Sequence, residues 1–245
     1  MPGALRPQSV TVSIRCPADG SEVSLPWERA TTEALSPAGP WRTFRWHDGQ
    51  RHYSGTYWSA TERGHVIYES RLELTRLLFA DFDASVNRIF AQPFLLRAQV
   101  RGAVCRHVPD FLLLSDAGPT VVDVKPRLRL TKPRVSFTLA WTRELVEGRG
   151  WRYEVWSEPP EAELSNLRFL AGFRRDWMFN TRLLDELRAS DFEGIALGEA
   201  CRSLLDWPEP LVRSAIFHLL WTQQFTVDLT RPLSASHVLA NGVRS

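Results

Sequence analysis

The chain has 245 residues, of which 44% are hydrophobic and 24% charged, and its formal net charge is +2. These values are ordinary for a globular protein of one large or two small domains, and they do not by themselves indicate a nucleic-acid partner. No apolar run reaches the roughly 18 to 20 residues of a membrane helix, and the N-terminus lacks the apolar core of a signal peptide. The three cysteines are far apart and lack metal-ligand spacing, which indicates reduced thiols in a cytoplasmic protein.

Residues 1–60 are predicted to form short strands and turns, including a turn at 47–50, and therefore a β-rich accessory segment. From residue 65 the apolar residues follow a helical period instead. The elements predicted after that point are a helix at 65–83, strands at 85–100, 103–115 and 120–128, a helix at 131–150, and a strand at 151–157. This order of helix, three strands, helix and strand predicts an α/β core domain with a mixed sheet, residues 61–158.

A short Pro- and Glu-rich linker, residues 158–163, separates this core from a helical C-terminal domain, residues 164–245. Helices are predicted at 164–180, 181–190, 195–205 and 208–223, followed by a strand pair within 224–234. Helices followed by a small β unit are typical of a winged-helix-like module. Residues 179–245 carry six basic and eight acidic side chains, which favours contact with protein over contact with DNA.

Charged residues interrupt two apolar segments that flank a predicted turn at residues 116–119. Asp123 and Lys125 are two apart in a strand and share one face, and a hairpin places Asp110 opposite them. A surface ion pair, which would contribute only about 0 to 1 kcal/mol, is one explanation. The long apolar runs indicate buried strands instead, where two carboxylates beside one lysine are costly without a cation. We therefore predict that Asp110 and Asp123 bind Mg²⁺, and that Lys125 positions or activates the attacking water or stabilises charge on a phosphate.

Five basic residues and no acidic residue lie in residues 125–134, directly after the charged strand. A basic strip beside a carboxylate site favours a phosphodiester substrate. Arg127, Arg129 and Lys132 are therefore candidate contacts to DNA phosphates. A solvated loop is the alternative explanation for the same residues.

Several other residues near these segments have a structural explanation. We expect His107 to be packed or hydrogen-bonded, although it lies close enough in sequence to approach the site. Gln92 is expected to pack at a strand start, with an orientation towards the metal as the alternative. Four tryptophans inside predicted elements are expected in the core: Trp141, Trp151, Trp156 and Trp221.

The charged segments resemble the signature of the PD-(D/E)xK nucleases, in which Pro-Asp is followed by an acid, any residue and a lysine. Here these are Pro109-Asp110 and Asp123-Val124-Lys125. The resemblance implies a restriction-endonuclease-like core of helix, three strands, helix and strand. That family also places a glutamate on the helix before the hairpin. Glu69 and Glu73 are the candidates, and being four apart they would share one helical face.

Residues 65–130 more specifically resemble TnsA, the endonuclease subunit of heteromeric transposases, through the segments at 69–94, 108–111 and 121–126. In that family the catalytic glutamate follows Ser-x-Leu. Because Ser70-Arg71-Leu72 precedes Glu73, we predict that Glu73 is the catalytic glutamate, with Glu69 as the reserve candidate. The family commonly has glutamine where this chain has Asp123, a departure that favours metal binding.

The resemblance implies a DNA endonuclease that uses Mg²⁺, with Mn²⁺ able to substitute, held by Glu73, Asp110 and Asp123. Such subunits cleave the non-transferred strands at the 5′ ends of a mobile element. An integrase-fold transposase cleaves and joins the 3′ ends, and an AAA+ ATPase that contacts the C-terminal region regulates both. The expected location is the prokaryotic cytoplasm, at the nucleoid when active. The alternatives are a stand-alone restriction or repair nuclease and a catalytically silent DNA- or protein-binding subunit.

Overall fold

The computed structural model describes residues 7–36, 38–42 and 53–242. Contacts divide the chain into two compact units. The first runs to Asp81 and continues from Ser85 to Glu158, and the second comprises Phe82–Ala84 and the chain from Pro159 onward. Both contain helices and strands, so the protein belongs to the α/β class in the broad sense. Within the described ranges, every helix is too short or too polar to span a lipid bilayer. The predicted turn at 47–50 lies outside these ranges.

One sheet of the first unit is antiparallel throughout. Its strands are β1 (Gln8–Arg15), β2 (Glu22–Pro26), β6 (Leu95–Val100) and β7 (Ala103–His107). They lie side by side in the order β2-β1-β6-β7. The short helix α1 (Thr32–Leu35) follows β2 in the chain. Val10 and Val12 of β1 are buried, as the period of two requires for a strand with one face on a core.

The second sheet of the first unit is mixed. Its strands are β5 (Val86–Ala91), β8 (Phe111–Ser115), β9 (Gly118–Val124) and β10 (Arg152–Trp156), in the order β10-β9-β8-β5. Strands β5, β8 and β9 are antiparallel neighbours, whereas β9 and β10 are parallel. A parallel pair needs a crossover connection, and α3 (Pro133–Glu147) supplies it. With α2 (Arg71–Phe82) before β5, this sheet has the predicted order of helix, three strands, helix and strand.

The helix predicted to begin at residue 65 begins instead at Arg71. Residues Gly64–Tyr68 form β4, which pairs with β3 (Gly55–Ser59) as an antiparallel hairpin. Val66 and Tyr68 are buried and alternate with more exposed residues, which is the period of a strand. Ile67 lies on the other face of this strand but also fits the helical spacing of the residues that follow, so apolar spacing alone extends the helix too far towards the N-terminus.

Two of the three predicted strands of the core are each divided into two strands. Residues 85–100 break at Gln92, whose φ is +47°, immediately before Pro93. Residues 103–115 break at Pro109, which has no N–H to donate to a ladder. The resulting strands β6 and β7 leave the mixed sheet and join the antiparallel one. The third predicted strand ends at Val124, and Arg127–Arg129 form a 3₁₀ turn.

One apolar core is shared by both sheets and α3 of the first unit. Val12 and Leu96 come from the antiparallel sheet, Leu112 and Val121 from the mixed sheet, and Trp141 from α3. Each of the five is at most 1% exposed. Burial of side chains of this size contributes about 1.5–3 kcal/mol each, so this core fixes the strands that carry the charged residues.

The four tryptophans that were predicted to be core residues differ in burial. Trp141 and Trp221 are buried, at 1% and 3% exposure, which confirms the prediction for them. Trp151 and Trp156 are only partly buried. Both flank or end β10, so each keeps part of its ring at the surface.

The second unit is mainly helical. Its elements are α4 (Glu161–Leu170), α5 (Thr181–Ala189), α6 (Leu197–Ala200), α7 (Glu209–Trp221), β11 (Phe225–Thr226) and β12 (Ala240–Asn241). Helix α4 begins inside the predicted linker, and the helix predicted over 164–180 ends at Leu170. The predicted strand pair within 224–234 is wrong, because β11 pairs with the distant β12. The Asn166 side chain donates to the carbonyl oxygens of Leu229 (2.9 Å) and Arg231 (2.7 Å) and fixes the intervening loop.

Candidate functional site

The charged residues of the hairpin meet where β8 begins and β9 ends. Phe111 pairs with Val122, so the register places Asp110 opposite Asp123, as the short turn predicts. The Asp110 N–H donates to the carbonyl oxygen of Val122 at 3.0 Å. The Asp123 side chain is 0% exposed, which does not fit an ion pair on a solvated sheet face. The hairpin therefore carries its carboxylates into the interior.

Asp110 forms two hydrogen bonds through one oxygen. Its Oδ2 accepts from the Val124 N–H at 2.6 Å and from the Lys125 ammonium at 2.8 Å. Within the described part of the chain, no donor bonds to its Oδ1. Burial raises the pKa of this carboxyl above its ordinary value, and the nearby Lys125 charge offsets the effect only in part. Asp110 thus retains an oxygen with free lone pairs beside a fixed positive charge.

Lys125 lies between the two aspartates. Its Nζ is 2.8 Å from Asp110 Oδ2 and 3.9 Å from Asp123 Oδ1, and it also donates to the Val124 carbonyl at 2.9 Å. Burial would lower the pKa of this ammonium, but the attraction of Asp110 and then of Asp123 outweighs burial and raises the pKa. The side chain is 27% exposed. It is therefore a protonated donor that solvent and a substrate can reach.

Asp123 is held by two ring-bearing side chains. His107 Nε2 lies 2.8 Å from both carboxylate oxygens, and the Tyr153 hydroxyl donates to Oδ2. Burial would raise the pKa of Asp123, but His107, Lys125 and Tyr153 together lower it. Burial and the Asp123 charge raise the pKa of the Tyr153 hydroxyl, which stays a donor. The Trp141 ring packs edge-on against the His107 ring at 6.2 Å.

Glu73 lies in the first turn of α2 and bonds to the residues just before the helix. Its Oε1 accepts from the Ser70 hydroxyl at 2.9 Å and its Oε2 from the Glu69 N–H at 2.7 Å, while its own N–H donates to Ser70 Oγ. This reciprocal pattern resembles a capping box, except that Glu73 accepts from the N–H of the residue before Ser70. Burial and then the Asp110 charge raise the pKa of Glu73 to about 7. Glu73 therefore lies close enough to feel the Asp110 charge.

Glu69 differs from Glu73 in position and partner. It precedes α2, so the prediction that both glutamates share one helical face is wrong. The Glu69 carboxylate accepts from Arg42 at 2.9 Å in a partly exposed ion pair. Sequence spacing did not show this difference, because the helix starts two residues after Glu69.

The basic strip after β9 begins with the Arg127–Arg129 turn. Arg127 is engaged by Glu158, which accepts from its backbone N–H through the carboxylate and from its guanidinium through the carbonyl oxygen. Arg129 and Lys132 are exposed, and neither has a side-chain partner among the described residues. These two cations are available to an anionic ligand, and Arg127 is less so.

Two residues near the site take roles that only the structure reveals. His107, expected to be packed or hydrogen-bonded, bonds to Asp123. Tyr153 was not among the sequence candidates, because the parallel pairing of β9 with β10 that brings it there is set by α3. The Gln92 side chain accepts from the Arg42 N–H at 3.0 Å and is 4% exposed, which fits a packing role.

The donor atoms suit a hard cation. Mg²⁺ in proteins is commonly bound by one or two carboxylates and keeps several waters. Asp110 offers a free oxygen, and Glu73, whose pKa is raised by burial and then by the Asp110 charge, is a second carboxylate near it. In the part of the chain that the structure describes, no three His, Cys, Asp or Glu side chains are grouped to hold a metal ion. Asp110 and Glu73 are the carboxylates here that could hold a hydrated ion.

Comparison with protein families finds none that matches this sequence, and comparison with curated proteins finds no relative.

Proposed function

We propose that this protein is a metal-dependent DNA endonuclease with a restriction-endonuclease-like core. The observation that carries the proposal is the meeting of Asp110, Asp123 and Lys125 at adjacent ends of β8 and β9. Glu73, at the start of α2, lies near this cluster, since the Asp110 charge adds to burial in raising its pKa. The mixed sheet, with its order of helix, three strands, helix and strand, is consistent with such a core.

Asp110 and Glu73 are the residues that would hold Mg²⁺ or Mn²⁺ most directly, since Asp110 Oδ1 accepts no hydrogen bond among the described residues and each Glu73 oxygen accepts only one. The ion would polarise the scissile phosphate and lower the pKa of a bound water. Lys125 stays protonated next to this position, so it is suited to stabilise negative charge on the phosphate or to orient the water. Arg129 and Lys132 would contact flanking phosphates of double-stranded DNA.

We further propose that the cleaved DNA is the end of a mobile element, with the cut on the non-transferred strand. The support is the likeness of residues 65–130 to transposase endonuclease subunits. An integrase-fold transposase and an AAA+ ATPase are the proposed partners. The acidic balance of residues 179–245 supports a protein contact in that region.

Substitution of Asp110 and Lys125 tests the nuclease assignment. In a reaction reconstituted with the partner proteins, we expect Asp110→Ala and Lys125→Ala each to lower the Mg²⁺-dependent cleavage rate by at least about a hundredfold. Asp116→Ala is a matched control, because this exposed carboxylate bonds only to Asn87 in the described structure. Cleavage at the wild-type rate by either site variant would contradict the assignment.

A catalytically silent DNA- or protein-binding subunit is the second candidate. The observation that favours it is the complete engagement of Asp123 by His107 and Tyr153, together with the lack of a three-residue metal group among the described residues. Calorimetric titration with Mn²⁺ separates the two functions. The nuclease is expected to bind the ion, and absence of binding would support the silent subunit.

A further inference from the structure

Asp123 differs from Asp110 in how far solvent can reach its carboxylate. The Asp123 side chain is 0% exposed, against 15% for Asp110 and 27% for Lys125. A Mg²⁺ ion keeps several waters when it binds to protein. A carboxylate that no water touches offers no room for such a hydrated ion, whereas Asp110 does.

The hydrogen bonds of Asp123 point to the same distinction. His107 Nε2 lies 2.8 Å from both of its oxygens and the Tyr153 hydroxyl donates to one of them, so two donor groups hold the carboxylate in one orientation. The negative charge of Asp123 is thus already compensated by its protein neighbours.

We infer that Asp123 is a positioning residue, held by His107 and Tyr153 to place the Lys125 ammonium, and that it is not a direct metal ligand. The inference rests on the proposed nuclease function and changes the ligand set expected from the sequence to Asp110 and Glu73. Asp123 Oδ1 lies 3.9 Å from Lys125 Nζ, so it attracts the ammonium while Asp110 Oδ2 binds it. His107 and Tyr153 act on Lys125 only indirectly, by holding the Asp123 carboxylate in place.

Mn²⁺ binding to the full-length protein tests this assignment without any cleavage assay. The isosteric variants are Asp110→Asn and Asp123→Asn, and their Mn²⁺ affinities are measured by calorimetry. We expect Asp110→Asn, which removes a ligating carboxylate, to weaken Mn²⁺ binding by at least about tenfold more than Asp123→Asn, which acts on the ion only through Lys125 and Asp110.

Water proton relaxation by the bound Mn²⁺ provides a second readout, because a lost protein ligand is replaced by a water. We expect Asp110→Asn to increase the number of waters on the ion and Asp123→Asn to leave it unchanged. Equal weakening and an added water in both variants would overturn the inference. Absence of Mn²⁺ binding by the wild-type protein would instead contradict the proposed nuclease function, so the two failures are distinguishable.

Tyr153→Phe tests the same inference if Asp123→Asn does not fold, since it removes one hydrogen bond and keeps the ring. We expect unchanged Mn²⁺ affinity, an unchanged Mg²⁺ concentration for half-maximal cleavage, and a maximal cleavage rate lowered by at least about tenfold. His107→Gln, which retains an N–H donor, should keep more of that rate than His107→Ala. Tighter Mn²⁺ binding in Tyr153→Phe would mean that the released carboxylate ligates the ion, and would overturn the assignment.

Discussion

Glu73 combines two roles at the scale of a single residue. Its carboxylate closes the N-terminal turn of α2 by bonding to the Ser70 hydroxyl and the Glu69 N–H. The same carboxylate lies in the field of Asp110, which together with burial raises its pKa. A sequence pattern of Ser-x-Leu-Glu therefore has a structural explanation in helix capping beside the catalytic one.

The pKa of Glu73 gives a stability prediction. That pKa is about 7 in the folded protein against an ordinary 4.5, so the folded state binds this proton more tightly than the unfolded state does. The contribution of Glu73 to stability is therefore greatest below pH 4.5, falls as pH rises from 4.5 to 7, and is constant above. The full difference is on the order of 3 kcal/mol.

Glu73→Gln lacks this titration. As pH rises from 5 to 8, the free energy of unfolding of the variant should therefore increase relative to that of wild type by about 1–3 kcal/mol. The measurement is the free energy of unfolding in urea at both pH values. Saturating Mg²⁺ should abolish this pH-dependent change in relative stability, because a bound cation stabilises the ionised Glu73 carboxylate. A wild-type-to-variant difference that is the same at both pH values would contradict the raised pKa.

The choice between the two glutamates is a separate prediction. Glu73→Ala should abolish cleavage, because Glu73 is coupled to Asp110. Glu69→Ala should only reduce cleavage, since its carboxylate bonds to Arg42. Cleavage rates of both variants in the reconstituted reaction provide the test, and the reverse order would make Glu69 the essential residue.

At the scale of elements, Asp81 joins the end of α2 to the β3–β4 hairpin. It is 6% exposed. It accepts from the Tyr57 hydroxyl (2.7 Å), the Ser59 hydroxyl (2.6 Å), the Ala60 N–H (3.0 Å) and the Thr61 N–H (2.8 Å). This cluster determines where α2 ends relative to the hairpin, and α2 carries Glu73 at its other end.

Asp81→Ala should lower the free energy of unfolding by at least about 2 kcal/mol, because it leaves buried donors without an acceptor. Urea denaturation provides the measurement. Asp116→Ala, at an exposed position, should change the same quantity by less than about 0.5 kcal/mol. Equal effects of the two substitutions would show that the Asp81 bonds contribute little.

The 3₁₀ turn and the start of α3 carry the cations proposed to contact DNA. Arg129→Ala and Lys132→Ala should each reduce the slope of log affinity against log salt by about 0.9 for duplex DNA. Arg127→Ala should have a smaller effect, because Glu158 already engages that residue. Arg182→Ala, paired with Glu186 and 78% exposed, is the control. Unchanged slopes for Arg129→Ala and Lys132→Ala would contradict the phosphate contacts.

Much of the hairpin was predictable from the sequence, and the reasons are local. The period of two and the turn after β8 set the register that brings Asp110 opposite Asp123. The breaks at Gln92 and Pro109 were harder to read, because the apolar runs continue across them. Whether a strand such as β6 stays in the mixed sheet or joins β1 depends on pairing with residues about 85 positions away, which local patterns do not specify.

The supporting residues of the site were less predictable for the same reason. His107 is the last residue of β7, in the antiparallel sheet, and Tyr153 is on β10 in the mixed sheet, yet both bond to Asp123. Their approach depends on the packing of two sheets around a common core. A single sequence shows which residues are charged, but it does not show which strands of distant origin face them.

At the scale of the whole molecule, the charge is unevenly distributed. Residues 1–178 carry 24 basic and 20 acidic side chains, whereas residues 179–245 carry six and eight. Under the proposed function, the first region binds DNA and the second binds a protein partner. The isolated chain should therefore bind duplex DNA but cleave it poorly, and addition of the partner proteins should activate it. Robust cleavage by the isolated chain would favour a stand-alone nuclease of the same fold.

The most direct test of the central claim is strand-resolved mapping of cleavage at the ends of the mobile element. In the reconstituted reaction with Mg²⁺, we expect the wild-type protein to cut the non-transferred strand at each 5′ end. With Lys125→Ala in its place, that cut should disappear while the 3′ cut by the transposase persists. A 5′ cut that persists with Lys125→Ala at the wild-type rate would contradict the account.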